Sequence, residues 1–102
     1  MNINFRLEKK KKENNKGNIR IDFHYNGKRF RYFTGTIIKE NVWNTNRQRL
    51  KSSASNSLRI NQRLDNISRD LEDIYYQILN DNLPPSNQLL RMKLNEKIKG
   101  IN

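Results

Sequence analysis

Cysteine is absent and histidine occurs once, at His24. Disulfides and thiolate metal sites are thereby excluded, and a zinc site has too few ligands to assemble. The four glycines stand apart at 17, 27, 35 and 100, so no glycine-rich loop can cradle a phosphate. Apolar residues are scarce as well, at 33% of 102 residues. An average domain has roughly 45–50%, a figure that also counts glycine. One small core is all that this length and composition support. No window approaches the roughly 20 apolar residues of a membrane span. Asn2-Ile-Asn-Phe-Arg6 also lacks the apolar run of a signal peptide. These absences predict a soluble, cytoplasmic chain with no membrane, cofactor or small-molecule substrate as partner.

Acidic residues are few too: 10 Asp/Glu stand against 21 Lys/Arg, a net charge of +11. The excess is uneven. Residues 1–53 hold 14 Lys/Arg against 4 Asp/Glu, whereas residues 54–102 hold 7 against 6. Such a balance favours a polyanion, nucleic acid first, and places the binding surface in the N-terminal half.

That half is organised around Ile19–Gly35. Asn26-Gly27 supplies the two positive-φ residues of a type I′ turn between two alternating runs, the signature of a β-hairpin. A two-residue loop sets the register by counting outward. Tyr25 faces Lys28, Phe23 faces Phe30, Ile21 faces Tyr32 and Ile19 faces Thr34, all on an apolar side. The other side pairs Asp22 with Arg31, His24 with Arg29, and Arg20 with Phe33. Residues 2–8 alternate in the same way, with Ile3, Phe5 and Leu7 opposed to Asn4, Arg6 and Glu8. They predict a third antiparallel strand beside the hairpin.

Residues 9–18 have no apolar member and predict an exposed, mobile loop. Its Lys9, Lys10, Lys11 and Lys12 read either as solubilising charge or as phosphate contacts without base readout. After Gly35 the pattern loosens. Trp43, with Val42 and Ile38 nearby, suits covering an end of the core better than stacking on a base. Arg47–Lys51 reads equally as a short strand or a basic loop. Lys51–Ser57 ends in several candidate helix caps.

From Leu58 the period becomes helical. Ile60, Leu64, Ile67, Leu71, Ile74 and Ile78 form one stripe of about six turns, flanked by Tyr75 and Leu79. Asn80-Asp-Asn82 and Pro84-Pro85 close it. A coiled coil would show similar spacing. A stripe that covers the sheet's apolar face is the better reading, since nothing else in the chain could bury that face. Ser86 caps a second helix through Leu89, Leu90, Leu94 and Ile98, and Lys99–Asn102 looks like a stop in mid-element. The expected class is α+β, a three-stranded antiparallel sheet packed on one long amphipathic helix, plus a short C-terminal helix.

Catalytic motifs are missing. Asp70, Glu72 and Asp73 read as helix-surface charge balanced by Arg63 and Arg69, not as an acid/base pair. By strand parity Asn4, Arg6, Arg20, His24, Arg29 and Arg31 share a face with Phe33. Arg31 is the expected base reader, oriented by Asp22, and Arg29, nearer the turn, is expected to meet phosphate. His24 reads equally as a phosphate or base donor and as a solvated histidine.

Several motifs occur in a telling order: Phe5-x-Leu7, the lysine loop, Ile19-x-Ile21, Gly27-Lys-Arg-Phe-Arg-Tyr-Phe-Thr-Gly35, Val42-Trp43, Gln48-Arg-Leu-Lys51 and Asn61-x-x-Leu64-x-x-Ile67. Over residues 3–83 this resembles the N-terminal arm-type DNA-binding domain of bacterial tyrosine recombinases, the integrases of phages and conjugative transposons. The segment from Ser86 resembles the linker helix that leads to their core-binding domain, so the expected division is 1–83 and 84–102. The resemblance implies a sheet in the major groove of double-stranded DNA, with other recombinase protomers as possible neighbours. It also implies that catalysis belongs to a further, C-terminal domain. Tyr25, Tyr32, Tyr75 and Tyr76 lie on the hairpin and helix and inherit no nucleophilic role. Two other readings remain open: an RNA-binding module with Phe33 stacked on an unpaired base, and a protein-interaction module using the long helix.

Overall fold

Asn26 and Gly27 adopt φ of 48° and 74°, the paired positive values of a type I′ turn, whose twist matches that of its strands. In the computed structural model, which describes residues 2–10 and 13–100, two long strands leave this turn, β2 (Glu13–Tyr25) and β3 (Lys28–Lys39). From Tyr25–Lys28 to Arg20–Phe33 they keep the register expected from the turn. β1 (Asn2–Lys10) pairs antiparallel with the other side of β2, giving the order β1-β2-β3. One face buries Phe5, Ile19, Ile21, Phe23, Tyr25, Phe30 and Tyr32. Phe23 stacks on Tyr25 at 5.3 Å and Phe30 on Tyr32 at 6.2 Å, between ring centroids.

Two expectations for the sheet need correction. The ladder does not continue to an Ile19–Thr34 pair: after Arg20–Phe33 it resumes at Asn18–Ile37. Three residues of β3 thus oppose one of β2, a bulge in which Gly35 takes φ 79°. Thr34 is still buried against Ile19, because its hydroxyl donates to the Ile19 carbonyl at 2.8 Å. The second correction concerns residues 9–18. Lys9 and Lys10 extend β1, and Glu13–Asn18 belong to β2. Apolar alternation marks where a strand has a buried face. Backbone pairing continues past it wherever the chains stay close. Gly17 shows how close they are: a Cβ there would lie 2.7 Å from the Glu8 carbonyl oxygen. Lys11, Lys12 and the side chain of Lys10 lie outside the described residues.

Beyond β3 a single 3₁₀ turn (Glu40–Val42) leads to β4 (Trp43–Asn44), which pairs with β5 (Arg49–Leu50). The undecided 47–51 stretch is therefore half turn and half strand. Asn44 shapes the turn, its side-chain oxygen accepting from Arg47 N at 3.0 Å and its carbonyl from Gln48 N at 2.8 Å. Trp43 and Leu50 are buried, as core packing requires.

The long helix α1 spans Ser57–Asn80, and its first two turns belong with the sheet in a unit that ends at Leu64. Within that unit Asn61 behaves like a strand partner: Oδ1 accepts from Leu50 N at 2.8 Å and Nδ2 donates to Leu50 O at 3.1 Å. Arg63 donates to the Thr34 carbonyl at the bulge, at 3.2 Å.

A second unit begins at Asp65 and holds the rest of α1 with α2 (Asn87–Lys99). The expected stripe is buried at Ile67, Leu71, Ile74 and Ile78, with Tyr75 beside it. Asn82, at φ 58°, ends α1 in a Schellman arrangement. Leu83 N donates to Ile78 O and Asn82 N to Leu79 O. Ser86 caps α2 by accepting from Leu89 N at 3.1 Å, and Leu90 and Leu94 are fully buried. Asp70 pairs with Lys97 of α2 at 3.7 Å, while Arg69 turns to Asn66. Gly100, at φ 66°, is the left-handed C-cap of α2.

Candidate nucleic-acid interface

Strand parity carries the polar residues of the sheet to one face, in rows that cross all three strands. Asn2, His24 and Arg29 form the row nearest the turn, then Asn4, Asp22 and Arg31, then Arg6, Arg20 and Phe33. Beyond them stand Glu8, Asn18 and Ile37, and last the facing pair Lys16 and Lys39. Arg6, His24, Arg29, Arg31, Phe33, Lys16 and Lys39 are exposed.

At the centre lies a carboxylate under a cover of guanidinium groups. Asp22 is 3% exposed. Arg20 holds it with two hydrogen bonds, Nε to Oδ1 at 2.8 Å and an amino nitrogen to Oδ2 at 3.2 Å. Arg6 lies at 3.4 Å and Arg31 at 4.0 Å. A bidentate, charge-assisted pair is the strongest available geometry, so Asp22 orients Arg20 first and Arg31 only distantly. The expected Asp22–Arg31 ion pair is present as well, at the longer distance. Arg20 also meets Glu8 at 3.4 Å and its side chain is only 11% exposed. It braces the face from beneath. Arg6 and Arg31 keep side-chain exposures of 58% and 44%.

Other expected site residues are engaged elsewhere. Asn4 accepts from Gln48 Nε2 at 3.0 Å, a bond that occupies one of the two acceptor positions of its amide oxygen. Lys9 pairs with Glu40 at 2.7 Å, which offsets its charge. Lys11, Lys12 and the side chain of Lys10 lie outside the described residues.

Four residues escape a reading of alternation alone. Gln48, at φ 56° in the β4–β5 turn, accepts from Phe5 N at 2.7 Å and so closes a donor on the free edge of β1. Arg49 lies over the Phe5 ring at 4.8 Å. Lys16 and Lys39 belong to stretches with no periodic apolar pattern, and only the extended β2–β3 ladder puts them opposite each other. Among the described residues no group of His, Asp or Glu is placed to hold a metal, and no helix is long and apolar enough to cross a membrane.

Comparison with curated proteins and with solved structures finds no match. A family model described as an arm DNA-binding domain matches residues 5–91, from the middle of β1 into α2. A domain of that kind binds DNA and is itself non-catalytic. With the match running over most of its length, the chain belongs to the arm DNA-binding domain family.

Proposed function

We propose that this chain reads double-stranded DNA sequence-specifically as the N-terminal domain of a site-specific tyrosine recombinase, with the polar face of its sheet in the major groove of arm-type sites. The observation that carries the reading is the exposed set Arg6, His24, Arg29 and Arg31, arrayed around buried Asp22 and its partner Arg20. Dimensions agree. Three strands at about 4.8 Å spacing span about 10 Å, and the major groove is about 12 Å wide. Arg31, in the middle of its strand, reads a guanine through O6 and N7. Arg29 and His24, nearer the turn, meet phosphate. Arg20 works through Asp22 without touching DNA. In this reading residues 1–83 grip the arm site, residues 84–102 form the linker helix toward a core-binding domain, and catalysis belongs to the recombinase's other domains.

The test is a competition series on a duplex selected from a randomised pool, using all its single-base variants at one salt concentration. Arg31→Ala should weaken the selected site by about 1–3 kcal/mol and relax preference at one base pair. Lys28→Ala, by the turn and opposite Tyr25, should leave preference unchanged. A uniform loss across all variants for Arg31→Ala would make the sheet a phosphate-gripping surface. The exposure of Phe33, 50%, favours a second reading in which it stacks on an unpaired base. Preference for single strands over duplex at equal salt would select that reading.

A further inference from the structure

Phe33 and Ile37 are 50% and 41% exposed, on a face otherwise built of polar and charged residues, arginine, histidine, asparagine and lysine with Asp22 and Glu8 among them. In a regular strand, positions four apart on one face stand about 13 Å from each other. The bulge shortens that interval. Phe33 pairs with Arg20 and Ile37 with Asn18, two positions apart on β2, so the rows they occupy are about 7 Å apart. Two large apolar side chains are thus brought into neighbouring rows of the DNA-facing surface, next to the row of Arg31. Isolated exposed apolar residues are ordinary. An adjacent pair, gathered by a bulge on a cationic face, calls for a ligand group of matching chemistry.

We infer that Phe33 and Ile37 form an apolar reading pair for the C5 methyl group of thymine. The inference rests on the major-groove reading above and deepens it. Among base edges in that groove the thymine methyl is the apolar group, and it separates T·A from C·G. Phe33 lies one row, about 7 Å, from Arg31. Two base steps of about 3.4 Å cover the same distance. The thymine therefore falls within about two base pairs of the guanine that Arg31 reads.

The experiment starts from the duplex recovered by selection from a randomised pool, with each thymine in turn replaced by deoxyuridine. This exchange removes one methyl and leaves every hydrogen-bonding group in place. Wild-type protein should lose about threefold to fivefold in affinity at one or two thymines near the preferred guanine. In Phe33→Ala or Ile37→Ala that sensitivity should shrink or vanish, and Phe33→Leu should retain part of it. Replacing the preferred guanine by 7-deazaguanine, which deletes N7, should still weaken every variant, showing that each remains folded and seated on the DNA. Indifference of the wild-type protein to every deoxyuridine overturns the inference, as does a methyl effect that persists in both alanine variants. A pool that returns no consensus, or a site indifferent to 7-deazaguanine, would instead overturn the underlying major-groove reading.

Discussion

At the scale of single residues, Asp22 governs the candidate site. A carboxylate this deeply buried must be paired and hydrogen-bonded, and the nearest suitable group is Arg20, two residues along the same strand and on the same face. Facing Arg31 across the ladder is a weaker claim, because the cross-strand reach leaves 4.0 Å. Asp22→Ala should strip Arg20 of both hydrogen bonds to that carboxylate and cost about 1.5–3 kcal/mol of stability. Urea unfolding followed by Trp43 fluorescence measures it. A midpoint equal to wild type would mean that the carboxylate supports nothing. Gly17 makes the complementary point, since its role is to leave room for a neighbouring backbone rather than to turn the chain.

At the scale of elements, short segments are fastened by side chains that imitate backbone. β5 is two residues long and has β4 on one side. Asn61 supplies its other side, with both amide groups engaged by Leu50. Asn61→Ala should leave two half-buried backbone groups without these partners and cost about 1–3 kcal/mol. Gln62→Ala, exposed beside it, should change stability by less than about 0.5 kcal/mol. Thermal or urea unfolding of the two variants checks the contrast, and equal effects would show that Asn61 fastens nothing. Arg63, outward by helical period, is no neutral control, because it donates to the bulge carbonyl of Thr34.

At the scale of the whole molecule, the charge asymmetry acquires an address. Lys16 and Lys39 face each other in the last row of the polar face. Like charges directly opposite on a sheet are destabilising, and a phosphate between them would relieve the repulsion. Lys16→Gln with Lys39→Gln should weaken binding to all duplexes alike. The slope of log K against log salt should become shallower by about 0.9 for each phosphate that is no longer neutralised. Lys9→Gln should do less, because Glu40 already offsets that charge. Titrations at several salt concentrations measure the slopes. A loss confined to one DNA sequence would make the two lysines base readers.

What local chemistry controls was legible in the sequence. Asn26-Gly27 determined the turn, and the turn determined six ladder pairs, because a two-residue loop admits one register. Strand parity then placed Arg6, Arg20, His24, Arg29, Arg31 and Phe33 on one face. Helical period, Asn82, the double proline and Ser86 likewise marked both helices, since capping and φ restriction act within a few residues. The rest depended on backbone approach between distant segments. The bulge at Gly35, the extension of β1 and β2 past their apolar stretch and the close approach at Gly17 follow from how the strands lie against one another. The choice of Arg20 over Arg31 as partner of Asp22, and the engagement of Asn4 and Phe5 by Gln48, across 44 and 43 residues, are settled by small distances in three dimensions. Periodicity records which side of an element is buried. Which polar group reaches which is decided only when the segments meet.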